Sequence, residues 1–143
     1  MDTQKLSQSL EDYLEMVYML RMDGGVARVK DIAAALSVKM PSVAKAILEL
    51  KKLGLVTQEP YAGVELTKAG ETAAANVLNR HILLKGFLVR LGVSEAAADK
   101  DACSMEHILS AETLSKIEAF MKPVTIEKRK KISKKVIGKA LHR

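Results

Sequence analysis

Residues 27–67 read ARVKDIAAALSVKMPSVAKAILELKKLGLVTQEPYAGVELT, and three kinds of local signal follow one another along them. Apolar spacing predicts a short helix from about Val29 to Leu36. Ser37-Val38-Lys39 then makes a tight turn, and Pro41 suits the first position of another helix, which runs to about Leu53. Gly54 supplies its C-cap. After it, LVTQEPYAGVELT holds two β-prone segments around a turn containing Pro60 and Gly63, the pattern of a hairpin. Upstream, Ser9 is placed to cap a helix carrying Leu10, Tyr13, Leu14, Val17 and Leu20, and Asp23-Gly24-Gly25 ends it. Helix, helix–turn–helix and hairpin in this order are the layout of a winged helix-turn-helix.

Beyond Thr67 the β-prone segments stop. A long helix is expected at about 68–91, ended by Gly92, with Ser94 and Ser110 capping two more at about 95–107 and 111–121. Pro123 breaks the pattern, and Thr125 opens a basic helix with Ile132, Val136, Ile137 and Leu141 on one stripe. The fold class expected is mainly α: an N-terminal winged helix-turn-helix with a two-stranded β wing, then an all-helical dimerisation domain. The domains are expected at 1–72 and 73–143, the second including the basic helix at about 124–141. So small and apolar a helical module is expected to find its partner surface in a second copy of itself.

Composition narrows the function. Of the 143 residues 48% are apolar, which favours a packed globule over a disordered chain. One cysteine excludes an intramolecular disulfide. Neither a secretory signal pattern nor an apolar run approaching ~18 residues is present, so a cytoplasmic protein without a membrane partner is expected. The net charge of +6 is mostly a property of residues 122–143, where nine Lys or Arg face one acid, Glu127. More telling is the stretch 28–53, with six basic residues against Asp31 and Glu49.

That basic stretch coincides with the helix-turn-helix. Lys39, Ser42 and Lys45 lie near the leading end of the helix that would enter a major groove of double-stranded DNA, with Met40 and Pro41 apolar enough for thymine methyl groups. Arg28 precedes the first helix of the motif, and Tyr61 sits at the tip of the wing, beside phosphate or the minor groove. The alternative is a winged helix that contacts protein, its lysines simply solvated.

A second group of residues concerns metal. In ACSMEHILS, residues 102–110, Cys103, Glu106 and His107 stand at i, i+3 and i+4 and would share one helical face. Taken alone, Cys103 reads as a small core hydrophobe. A catalytic Cys–His pair lacks both an orienting acid and an oxyanion turn, so no enzyme and no small-molecule substrate are expected. Asp12 and Glu15 share a face of the first helix, where acids also favour the helix dipole. His81 lies on the stripe of Val77 and Leu88, a position that suits a buried core histidine. Together these residues supply carboxylates, imidazoles and one thiolate, a set suited to a divalent transition metal rather than magnesium or calcium.

In combination, SLEDYLEMVYML, the helix-turn-helix stretch, EPYAGVELTKAG, NRHILLKGF and ACSMEHILS resemble the diphtheria-toxin-repressor family of metal-dependent repressors, over about residues 7–121. The manganese-transport-regulator branch is the better match. The resemblance implies a homodimeric repressor of metal-uptake genes that binds a palindromic operator once metal sits between its two domains. It assigns metal ligation to Asp12, Glu15, His81, Cys103, Glu106 and His107. Iron-type members have Met where Asp12 stands, so that position favours Mn²⁺, whereas Cys103 is shared with iron-responsive members. Fe²⁺ is the alternative activator, and Co²⁺, Zn²⁺ or Cd²⁺ would serve in vitro. A carboxylate that some iron-type members use four residues after the matched histidine is Lys85 here. The competing readings are an iron-type repressor of the same family and a metal-independent winged-helix regulator.

Overall fold

The computed structural model describes residues 6–22 and 24–122; the expected basic helix at about 124–141 lies outside the described residues. In chain order the elements are α1 (Gln8–Arg21), α2 (Val29–Leu36), α3 (Met40–Lys52), β1 (Val56–Gln58), β2 (Val64–Leu66), α4 (Lys68–Arg90), α5 (Glu95–Met105) and α6 (Ala111–Met121). They divide between two compact units, Met1–Asn76 and Val77–Arg143, and α4 contributes residues to both.

The first unit is a winged helix-turn-helix. α3 buries Val43, Ala46, Ile47 and Leu50, the i, i+3, i+4, i+7 stripe of an amphipathic helix. That stripe shares a core with Tyr13, Leu14 and Val17 of α1, Ile32 and Ala33 of α2, and Val56 and Val64 of the wing. Each fully buried aliphatic contributes about 1.5–3 kcal/mol relative to exposure. The opposite face of α3 stays exposed, so its side chains remain available to a partner.

Turn chemistry sets the angles between these elements. Ser37 adopts φ +55° after α2, and the N–H groups of Ser37 and Val38 donate to the carbonyls of Ala34 and Ala33. Gly54, at φ +73°, closes α3 in the same way, with donation from Gly54 to Lys51 and from Leu55 to Leu50. β1 and β2 pair antiparallel with Thr57 opposite Glu65, and Val64 N–H donates to Ala27 O at 2.7 Å. A Cβ at Gly63 would lie 2.3 Å from Val26 Cγ1, so only glycine lets the wing approach the strand-like residue Ala27.

Thr67 joins three elements. Its hydroxyl donates to Gly54 O at 2.7 Å and accepts from Gly70 N–H at 3.1 Å, which makes it the N-cap of α4. The first helix departs from expectation: the hydroxyl of Ser7, not that of Ser9, accepts from Leu10 N–H at 3.2 Å. The longer helix allows Leu6 to pack against the core, and Ser9 falls inside the first turn, where no cap is needed.

In the second unit Ser94 and Ser110 cap α5 and α6, as their spacing predicts. α5 ends at Met105, two residues before the expected boundary. Glu106 keeps right-handed helical angles, but Ile108 and Leu109 both donate to Met105 O, and this tight turn leads into the Ser110 cap. Phe87 and Phe120 meet edge to face at 6.1 Å, with the Arg90 guanidinium 5.6 Å from the Phe120 ring centre.

Candidate metal centre and DNA-binding surface

The interior of the second unit is unusual in composition. Among the described residues, those buried in it are Val77, Leu78, Leu84, Ala98 and Ala102 together with four ionisable side chains, His81, Lys85, Glu106 and His107. Charges are rarely taken out of water without close partners, because desolvation costs several kcal/mol per ion. Here the partners include one another and the half-buried Asp99.

His81 stands at the middle of the cluster, fully buried on α4. Its Nδ1 lies 2.9 Å from Glu106 Oε2 and 3.7 Å from Cys103 Sγ. On the other side of the ring, Nε2 lies 2.9 Å from Asp99 Oδ1, and Lys85 Nζ is 3.3 Å from that same oxygen. His107 Nε2 is 3.4 Å from Glu106 Oε1, so the Glu106 carboxylate, only 1% exposed, faces both imidazoles. The helical frame explains the gathering: Asp99 and Cys103 are i, i+4 on α5, and Glu106 follows one turn later on the same side.

The structure therefore brings four of the six expected ligands together within the second unit: His81, Cys103, Glu106 and His107. Asp12 and Glu15 lie on α1 in the first unit, Asp12 half-buried and Glu15 buried. Asp99 was not anticipated, although its place four residues before Cys103 is the signal that could have found it. Lys85, which stands where some iron-type members have a carboxylate, is buried against Asp99. Nitrogen, oxygen and sulfur donors around a buried carboxylate suit a divalent transition metal.

On the first unit, Arg28 and Lys39 are the residues before the first turns of α2 and α3, and both are exposed. Pro41, Ser42 and Lys45 lie exposed in the leading part of α3, with Met40 beside them 52% exposed. Tyr61 stands fully exposed in the wing loop at φ +65°. Basic and apolar side chains at the free end of a helix, next to a projecting wing, form a surface of the kind that docks in a major groove.

Two family models cover nearly all of this sequence. Residues 5–64 match "Iron dependent repressor, N-terminal DNA binding domain", and residues 67–132 match "Iron dependent repressor, metal binding and dimerisation domain". The chain belongs to the iron-dependent (diphtheria-toxin) repressor family. It is 38% identical over 118 residues to an uncharacterised HTH-type transcriptional regulator of Methanocaldococcus jannaschii, covering 81% of this chain and 94% of the relative. The transcriptional regulator MntR of Salmonella typhimurium is 42% identical over 111 residues, covering 78% of this chain and 71% of MntR. Among solved structures, the manganese regulator SloR aligns with TM-score 0.72 at 28% identity, covering 82% of this chain and 55% of SloR. This iron-dependent-repressor chain thus spans about half of SloR. As a member of the family it is a metal-responsive, DNA-binding transcriptional repressor. Among its described residues no helix is long and apolar enough to cross a membrane.

Proposed function

We propose that this repressor answers chiefly to Mn²⁺, with Fe²⁺ as a second activator, and that the loaded homodimer binds a palindromic operator to silence metal-uptake genes. The observation that carries the reading is the meeting of buried His81, Glu106 and His107 with half-buried Cys103 in the second unit. Asp12 and Glu15 of α1 complete the ligand set. Two features favour manganese over iron: Asp12 stands where iron-type members have Met, and the relatives include MntR and a structure described as a manganese regulator.

A bound divalent cation supplies the positive charge that lets several acids share one site. Glu106 would supply an anionic oxygen from the interior, Cys103 a soft sulfur donor, and His81 and His107 imidazole nitrogen. The family resemblance assigns ligands to α1 as well as to the second domain, and by that assignment metal would act on the spacing of the two α3 helices in a dimer. Successive major-groove turns lie ~34–36 Å apart, and the loaded state is the one that meets this spacing. Coupling is reciprocal, so operator DNA tightens metal binding by the same factor, typically about 5–150-fold. Lys39, Pro41, Ser42 and Lys45 enter the groove, while Arg28 and Tyr61 hold the flanking backbone. Val89, Leu91, Ile108 and Phe120, exposed on the second unit, provide apolar surface for the dimer contact.

The test is DNA selected from a random pool with Mn²⁺ present, then titrated with protein in chelator, Mn²⁺ or anaerobic Fe²⁺. Mn²⁺ should give the tightest binding and chelator should abolish specific binding. Equal binding in chelator would identify a metal-independent winged-helix regulator, and response to Fe²⁺ alone would identify an iron-type repressor.

A further inference from the structure

His81 has a carboxylate oxygen 2.9 Å from each ring nitrogen, Glu106 at Nδ1 and Asp99 at Nε2. A carboxylate only accepts, so each contact is a hydrogen bond only while that nitrogen carries its proton. A metal ion needs a lone pair on one of the two. The two sides of the ring differ in what surrounds them. At Nδ1 stand Glu106 and, at 3.7 Å, Cys103 Sγ, both donors to a cation. Beside Nε2 stands Asp99, and its oxygen is already held by the Lys85 ammonium at 3.3 Å. Lys85 is buried against that oxygen, so an incoming divalent cation on this side would face a like charge with little water to screen it.

We propose that Asp99 and Lys85 are positioning residues that make Nδ1 the metal-binding nitrogen of His81. Asp99 accepts from Nε2–H and so fixes the tautomer that leaves the Nδ1 lone pair toward Glu106 and Cys103. Lys85 holds Asp99 in place and keeps cations from the Nε2 side. An outer carboxylate on a ligating imidazole is a general device for orienting the ring and strengthening its donor nitrogen. Here the carboxylate has its own built-in counter-charge. The inference rests on the metal reading above, since it concerns how one proposed ligand is presented.

The experiment uses the full chain labelled with ¹⁵N-histidine, first metal-free and then loaded with ¹¹³Cd²⁺ as the spectroscopic probe. Metal-free protein should show a slowly exchanging His81 Nε2 proton that is lost in Asp99→Ala. Loaded protein should show ¹¹³Cd coupling to Nδ1 of His81 and none to Nε2. Asp99→Ala should weaken Mn²⁺ binding about 10–100-fold. Asp99→Asn, whose amide oxygen still accepts from both Nε2–H and Lys85, should recover most of that loss. Lys85→Met should introduce ¹¹³Cd coupling at Nε2, and Lys85→Arg should restore the parental spectrum. Coupling at Nε2 in the parent, or Mn²⁺ affinity unchanged in both Asp99→Ala and Lys85→Met, would overturn the inference while leaving the metal site standing. A parent chain that takes up no metal would bring down the proposed function and this inference together.

Discussion

Cys103 is the donor that distinguishes this ligand set from one of oxygen and nitrogen alone. Its sulfur adds softness, which favours Fe²⁺ and later metals over Mn²⁺. Cys103→Ala should therefore weaken activation by Fe²⁺ or Co²⁺ more than activation by Mn²⁺, measured as operator affinity against free metal. Bound metal should also slow alkylation of the thiol; equal alkylation with and without metal, and an unchanged metal preference in the variant, would reduce Cys103 to a packing residue. Lys45, exposed one turn into α3 on the side of Ser42, has the corresponding place on the DNA surface. Lys45→Ala should cost about 1–3 kcal/mol at a particular base pair if the side chain reads a base. If it meets a phosphate, affinity should fall for all sequences and the salt slope by about one. An unaltered affinity and slope would exclude it from the interface. Single residues were legible to different depths. Cys103, Glu106 and His107 share a short stretch, so their spacing raised the question of a metal site, which the family resemblance and not the spacing answered. His81 looked as much like core as ligand, because periodicity says that a side chain is buried but not what waits for it there. Asp99 and Lys85 escaped as a pair because they lie on different helices, and nothing local joins positions 85 and 99.

Among the elements, the helix–turn–helix and the wing were read from signals that act within a few residues: Pro41 at a helix start, Gly54 at an end, turn residues between β-prone runs. Helix ends were harder to place. Ser7 and Ser9 are equally good caps in isolation, and packing of Leu6 decides between them. The early end of α5 is set by the turn that leads to Ser110, a contest between two neighbouring caps. The connection between α2 and α3 carries a further expectation. Ser37 holds φ +55°, where an L-residue is strained by its Cβ, while its hydroxyl stands exposed. Ser37→Gly should raise stability by about 0.5–1 kcal/mol in denaturant unfolding, and a loss would mean that the hydroxyl holds the turn. Thr67 works in the opposite sense. Thr67→Val removes both the α4 cap and the bond to Gly54 O, and should cost about 1–2 kcal/mol. A cost near zero in the same measurement would show that water replaces both bonds.

For the molecule as a whole, metal is expected to act on stability as well as on DNA binding. At a free concentration a hundredfold above the dissociation constant, an ion that binds only the folded state adds about 2.7 kcal/mol. The melting temperature should then rise on the order of 10 °C in Mn²⁺ over chelator. Alanine at Glu106 should remove the rise; a rise that survived would place the stabilising ion elsewhere. The division into a winged helix-turn-helix and a helical domain was legible because strand-forming sequence stops at Thr67. That ionisable side chains make up much of the buried part of the second unit, among the described residues, was not, since a lysine in α4 and a Glu-His pair after α5 resemble an ordinary solvated surface. The same interior has a consequence in time. A core of imidazoles, carboxylates and an ammonium opens more readily than one of leucines, and each opening exposes backbone to cleavage. Starved of its ion, the repressor should be digested faster than the loaded protein, beginning within residues 77–122. Scarcity would then be registered twice, at once in occupancy and later in the half-life of the sensor itself.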